Sequence, residues 1–319
     1  SVLSKFVSTS LLFLTCTSLL VIHFRLGVDK DYVFHIESGE TTSVISQKLY
    51  DSNLILSSKF FNFYSRLFSL DDNFKAGEYD LNSYESIYSL GKKFSNGDIL
   101  YRKLTILPGM TLSQILNQGN QVGLINDLFV KDNILDNNFS ILFEEGQFYP
   151  DTYFYIRGDM FSSILLQSQI KWNEVSKRLW LERNANLPFE NLKDAITLAS
   201  IIEKEGTEKE IIASVFINRL NKDMKLQSDP TVIYALGKNF DGDLRKKDLN
   251  FDSPYNTYRY KGLPPSPISI VSEESLKAAL NPADTNYLYF VSMGNGFHKF
   301  SKTLKEHNQA VREYQLNVR

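Results

Sequence analysis

Leu192-Lys193-Asp194-Ala195-Ile196-Thr197-Leu198-Ala199-Ser200-Ile201-Ile202-Glu203-Lys204-Glu205-Gly206 is the stretch around which the rest of the chain is organised. At ~100° per residue it reads as a helix with Leu192, Ala195, Ile196, Ala199 and Ile202 on one stripe, and Glu203 falls within roughly 20° of Leu192, in the middle of that apolar face. Lys204 and Glu205 project to the solvated side. A carboxyl among aliphatic side chains has its charged form disfavoured, and one still protonated near neutral pH can serve as a general acid. The competing reading is a helix that ends here, with Glu203 turned out to water just before Gly206.

Composition limits what such an acid could serve. The 319 residues are 43% hydrophobic and 23% charged, enough for two cored domains. A formal net charge of −2 gives no basic surface for nucleic acid, so no nucleic-acid partner is expected. The single cysteine, Cys16, forms no intrachain disulfide, and His23, His35, His298 and His307 show no metal-ligand spacing. No metal is expected. Neither a glycine-rich phosphate loop nor a nucleophile-elbow serine is present, and no cofactor is expected either.

Residues 6–22 carry no charge, and His23 and Phe24 extend the run until Arg25 stops it, long enough to cross a bilayer. A cleaved signal peptide is the alternative; no Ala-x-Ala-like site closes the run, which favours an uncleaved anchor. Lys5 and Arg25 nearly cancel, so flanking charge does not orient it. Residues 1–29 therefore read as a cytoplasmic end and a transmembrane helix.

Beyond residue 30 the patterning is that of a water-facing protein, and one device occurs twice. Val33-Phe34-His35-Ile36 reads as a strand followed by Gly39-x-Thr41-x-x-x-Ile45, and Leu104-Thr105-Ile106-Leu107 leads into Gly109-x-Thr111-x-x-x-Ile115. In each, Gly permits the tight turn and Thr caps the helix that follows. Between them lie a strand near Tyr79, a helix over about 84–94 and a strand over about 99–107. Residues 30–120 thus form a small α+β module, whose strand-Gly-x-Thr-helix order resembles the first half of a LysM repeat, a fold that binds N-acetylglucosamine chains. A spacer or docking role is the alternative.

Residues 121–319 read as a mixed, mainly helical domain, making the whole α+β. The Asn-, Asp- and Leu-rich region over 122–139 reads as helix and loop, and a long helix over about 161–183 precedes the Glu203 helix. The segment over 208–220 is apolar on most sides and reads as a buried helix whose Arg219 needs a carboxylate or carbonyl partner. In Leu226-Gln227-Ser228-Asp229-Pro230-Thr231, Asp229 is placed to cap a helix, with Pro230 in its first turn and Gly237 as terminator. The polar-aromatic stretch over 253–268 is a long loop of the kind that binds ligands.

Several motifs occur in an order that resembles endolytic murein transglycosylases of the YceG-like, or MltG, family. They are Ala199-Ser200-Ile201-Ile202-Glu203-Lys204-Glu205, Val215-Phe216-Ile217-Asn218-Arg219-Leu220, Leu226-Gln227-Ser228-Asp229-Pro230-Thr231-Val232-Ile233-Tyr234, Tyr255-Asn256-Thr257-Tyr258, Gly262-Leu263-Pro264-Pro265 and Ser275-Leu276-Lys277-Ala278-Ala279-Leu280-Asn281-Pro282. Lesser marks agree, among them Glu145-Gly146, Phe297-His298-Lys299-Phe300 and His307-Asn308. One departure stands at Ile270-Val271-Ser272, where the family usually has Asn-Pro-Gly; Ser272 can still cap the next helix, with Glu273 and Glu274 in its first turn.

The resemblance implies a single-pass inner-membrane enzyme. Its periplasmic domain would cleave peptidoglycan strands internally between N-acetylmuramic acid and N-acetylglucosamine, leaving 1,6-anhydro ends and limiting the length of nascent strands. It implies Glu203 as the catalytic acid, and Gln227, Asn256, Tyr258, Asp229 and His298 as substrate-binding residues. Partners would be glycan strands, the membrane through the N-terminal helix, and cell-wall synthases. One carboxyl suffices for that chemistry, whereas a glycoside hydrolase needs a second at a defined distance. Two other classes fit the same motifs: a non-catalytic cell-wall scaffold, and a hydrolytic muramidase with Glu205, Asp229 or Glu145 across the cleft.

Overall fold

The computed structural model describes residues 10–15, 17, 32–70, 73–82, 85–128, 130–131, 134–135 and 143–316. The chain folds as two compact units, residues 1–102 with 154–159, and residues 103–153 with 160–319. The stretch expected as one module over 30–120 is thus shared between them at Arg102.

The amino-terminal anchor is corrected. Among the described residues no helix is long and apolar enough to cross a membrane. Residues 10–15 and 17 are helical, and the remainder of the 6–24 run lies outside the described residues. Among the described residues the fold is α+β without a spanning element.

In the first unit β1 (Tyr32–Ile36) and β2 (Gly77–Leu81) pair antiparallel with Phe34 opposite Tyr79, and two helices, α1 (Thr42–Asp51) and α2 (Ser58–Leu67), connect them. Gly39 has φ 84° and Thr41 Oγ1 accepts the Val44 N–H, which is the turn and cap expected from the sequence. α3 (Ile87–Asn96) follows, capped by Ser86 and stopped by Gly97 in the left-handed region. Phe34, Ile36, Leu49, Phe61, Leu81 and Phe94 form this unit's core. Glu78 is buried there, held by Arg102 at 2.8 Å and Arg157 at 2.7 Å.

β3 (Arg102–Thr105) and β6 (Thr152–Tyr155) pair, with Thr105 Oγ1 and Thr152 Oγ1, both of the second unit, 3.2 Å apart. α4 (Leu112–Leu116) begins with a capping box in which Thr111 and Gln114 satisfy each other's backbone N–H. The region over 122–139 carries a short antiparallel pair, β4 (Val130–Lys131) with β5 (Ile134–Leu135), where helix was expected. The main body is helical: α5 (Phe161–Leu181), α6 (Leu192–Glu205), α7 (Lys209–Asn221), α8 (Asp229–Leu236) and α9 (Glu273–Leu280). An antiparallel hairpin, β7 (Tyr289–Ser292) with β8 (His298–Ser301), and α10 (Leu304–Val311) complete it.

α6 is the central helix. Asn191 caps it, and from Ala195 to Ile202 every residue but Ile196 is buried. It packs on α5, α7, α8 and α9 around Trp172, Leu198, Ile202, Phe216 and Leu276. Ala195, Ala199 and Ser200 let neighbouring backbone come close; the Ser200 hydroxyl accepts the Ile268 N–H at 2.9 Å. In the last turn of α6 Lys204 is exposed, while Glu203 and Glu205 are half-buried on either side of it. Its two terminal glutamates therefore enter two different protein environments.

Candidate active site

Glu203, the residue expected to be the acid, meets donors on every side. Its Oε2 accepts the Ser272 N–H at 3.0 Å, the Ser272 hydroxyl, and the Ser275 hydroxyl at 2.6 Å. Lys209 Nζ lies 3.3 Å from Oε1 and also reaches Ser272 Oγ at 3.1 Å and Glu274 at 3.2 Å. Burial acts to raise its proton affinity, but the Ser272 and Ser275 hydrogen bonds and Lys209 outweigh it, leaving Glu203 below the usual carboxylate range. The raised value expected from its place in an apolar stripe is thus corrected. Glu203 is an ionised clasp between α6 and the start of α9, bordering two cavities of 370 and 330 Å³.

Ser272 sits at the family departure. It caps α9 by accepting the Ser275 N–H at 3.2 Å, as expected, and gives its own proton to Glu203.

Glu205 lies two residues on and faces a cavity of 630 Å³, which it lines with Arg219, Gln227, Asp229, Tyr258 and His298. Burial pushes its carboxyl up to about 7; the Ser228 hydroxyl and Arg219 oppose the shift and the Asp229 charge adds to it. Among the described residues the Ser228 hydroxyl is the side chain that hydrogen-bonds it, donating to Oε1. This explains a local anomaly: Ser228 is the N-cap residue of α8, yet its side chain does not cap the helix. Asp229 is the first helical residue and not the cap expected for it.

Backbone geometry aims the other groups. Gln227 holds φ at 51°, a strained value for a residue with a side chain, while its N–H donates to Thr257 O at 3.2 Å. The Tyr258 hydroxyl donates to Asp229 Oδ1 at 2.6 Å, and burial with that negative partner raises the phenol's own value. Arg219 spends its donors on carbonyls, from Nε to Leu288 O at 2.6 Å and from Nη1 to Leu226 O at 2.7 Å, and its guanidinium lies 5.1 Å from the Tyr289 ring centre. It builds the cavity wall.

Of the five expected substrate-binding residues, Gln227, Asp229, Tyr258 and His298 share this cavity with Glu205. Asn256 does not. It is fully buried, donating to Leu249 O at 3.0 Å and Phe251 O at 2.7 Å and accepting the Tyr258 N–H at 2.9 Å. It shapes the loop that carries Tyr258. Glu145 is also raised to about 7 by burial, but it is bonded to the Leu112 N–H at 2.8 Å and the Tyr234 hydroxyl at 3.1 Å and does not line this cavity.

Fold and site together place a carboxyl whose proton affinity burial raises against a polar cavity at the end of a buried helix. The YceG-like family model matches residues 34–313, and the chain belongs to that family. A Bacillus subtilis protein named endolytic murein transglycosylase is 36% identical over 306 residues, covering 88% of this chain and 84% of its own length. A Streptococcus pneumoniae protein of the same name is 28% identical over 327 residues; the alignment covers 88% of this chain but only 57% of that longer relative. A 2.6 Å crystal structure of a YceG-like protein from Listeria monocytogenes is similar with a TM-score of 0.51 and 32% identity, covering 89% of this chain and all of that one.

Proposed function

We propose that the chain is an endolytic murein transglycosylase with Glu205, not Glu203, as its general acid. The observation that carries this is the cavity in which Glu205, its proton affinity raised toward neutrality, meets Gln227, Asp229, Tyr258 and His298. A carboxyl near 7 is half protonated at neutral pH and gives its proton readily to the glycosidic oxygen as that bond breaks. The 6-hydroxyl of the muramic residue then closes on its own anomeric carbon, so no water is consumed and a 1,6-anhydro end results. Gln227 and Tyr258 offer amide and phenol groups suited to sugar hydroxyls and acetamido groups. The names of the relatives support the same reaction.

Because the substrate is cell-wall glycan, the second unit acts on the outer side of the cytoplasmic membrane. The strand-helix-helix-strand order of the first unit supports a glycan-holding role of the LysM kind, tested by binding of that segment to glycan strands. The reaction is tested by mass spectrometry of glycan incubated with the protein. Ends lighter by one water support a lytic enzyme; reducing ends would indicate a hydrolase using Asp229, and intact strands a scaffold.

A further inference from the structure

His298 opens β8, and its Nδ1 lies 3.0 Å from Glu208 Oε2, which also accepts the His298 N–H at 2.7 Å. A carboxylate can only accept, so Nδ1 carries the proton and the lone pair of the neutral ring is at Nε2. The ring is edge-on to Phe290, with centroids 5.3 Å apart, and packs on Gly206, the residue after Glu205. A methyl group at 206 would lie 2.8 Å from Cε1, so only glycine leaves room for the imidazole beside the acid. No described residue hydrogen-bonds Nε2, and that atom is not among the polar atoms sealed from water. A ring fixed on three sides thus presents a free acceptor where it lines the Glu205 cavity.

A base held by a carboxylate next to an acid is an arrangement for moving two protons in one step. We propose that Glu208 and His298 form the base of the reaction, with Nε2 taking the proton of the attacking sugar hydroxyl. The proposal rests on the reading of Glu205 above. The hydroxyl oxygen bonds to the anomeric carbon, the bond to the departing sugar oxygen breaks, and that oxygen takes the Glu205 proton. The hydroxyl proton ends on Nε2, and the Glu208 carboxylate holds the imidazolium. After product leaves, the imidazolium proton passes through water to the Glu205 carboxylate and both groups are restored. A single carboxyl in both roles must lose its proton before it can accept one; a separate base removes that order.

The test is kcat and KM on isolated glycan strands for the full chain, His298→Gln, Glu208→Gln, and His298→Gly with and without added imidazole. The other charged or titratable groups around the cavity are Glu205, Arg219, Asp229, Tyr258, Tyr289 and His307, and all remain in these variants. His298→Gln should lower kcat by ~10²-fold or more with KM little changed. Glu208→Gln keeps the imidazole and an acceptor for Nδ1–H but removes the charge that holds the imidazolium formed in the step, so it should lower kcat in the same way. Imidazole should restore activity to His298→Gly, a rescue that a merely structural role would not give. An unchanged kcat in His298→Gln or in Glu208→Gln, or no rescue by imidazole, would each overturn the proposal. Loss of activity in Glu205→Gln tests the underlying reading separately, since added imidazole does not replace the acid.

Discussion

Glu203 and Glu205 are the same residue type, one turn from the same helix end, and their surroundings drive them in opposite directions. On the α9 side, two serine hydroxyls, a backbone N–H and Lys209 supply donors enough to overcome burial, and Glu203 stays ionised. On the cavity side, Glu205 has a single hydroxyl, and the negative Asp229 nearby adds to the cost of ionisation. Burial alone therefore does not make a general acid. The count of donors on the carboxylate decides between a clasp and a catalyst.

The largest expected effect sets the two apart directly. Glu205→Gln should lower turnover on glycan by ~10²–10⁴-fold, the range for loss of a general acid, with the fold retained. Glu203→Gln should leave turnover within a few-fold and instead lower stability by about 1–3 kcal/mol, since the clasp loses charge-assisted hydrogen bonds. Turnover measured beside thermal unfolding checks both halves; the reverse pattern would break the comparison.

The pH response sharpens it. Glu205 is raised from 4.5 to about 7, so activity that needs its proton should fall about tenfold per pH unit once pH exceeds 7. The same shift is a stability statement: its contribution is full below 4.5 and lost as pH rises through 7. Glu203 is lowered from 4.5, so its contribution is present above 4.5 and lost as pH falls below it. Relative to the unaltered chain, Glu205→Gln should gain stability between pH 5 and 8, roughly the window this shift spans, and Glu203→Gln should recover its deficit below pH 4, roughly the end of the lowered range. Melting temperatures across pH give the answer.

Smaller effects probe the frame around the pair. Asn256→Ala should cost about 2–4 kcal/mol of stability along with activity, because a buried side chain that ties the Leu249 and Phe251 carbonyls together is lost. Loss of activity at unchanged melting temperature would return Asn256 to the substrate. Gly206→Ala should reduce activity several-fold by displacing His298, with little change in melting temperature, and rates at saturating substrate check it. Ser272→Ala removes one of several donors and the α9 cap, so about 1–2 kcal/mol of stability and almost no activity should be lost.

Much of this was legible in the sequence. Thr41, Thr111 and Ser272 cap the helices they were expected to cap, because capping is a local matter of side chain and following N–H groups. The central position of the Leu192 to Gly206 segment follows from its apolar content, and four of the five expected binding residues share one cavity. The choice between Glu203 and Glu205 was not legible. Periodicity assigned Lys204 and Glu205 alike to the solvated face; Lys204 is exposed, whereas Ser228, Tyr258 and His298 surround Glu205. Only the serine hydroxyls at 272 and 275, about seventy positions away, reveal that donors favour the ionised form of Glu203. The nearest sequence signal was Ser228: a cap residue beside Asp229 and Pro230 whose side chain is spent on Glu205.

The most direct test of the account is to observe the two carboxyls titrate. With glutamate side chains carbon-13 labelled, nuclear magnetic resonance of the folded protein should show a carboxyl titrating near 7 that is absent from Glu205→Gln and still present in Glu203→Gln. If that resonance instead disappears in Glu203→Gln and survives in Glu205→Gln, the clasp and the acid have been exchanged and the account fails.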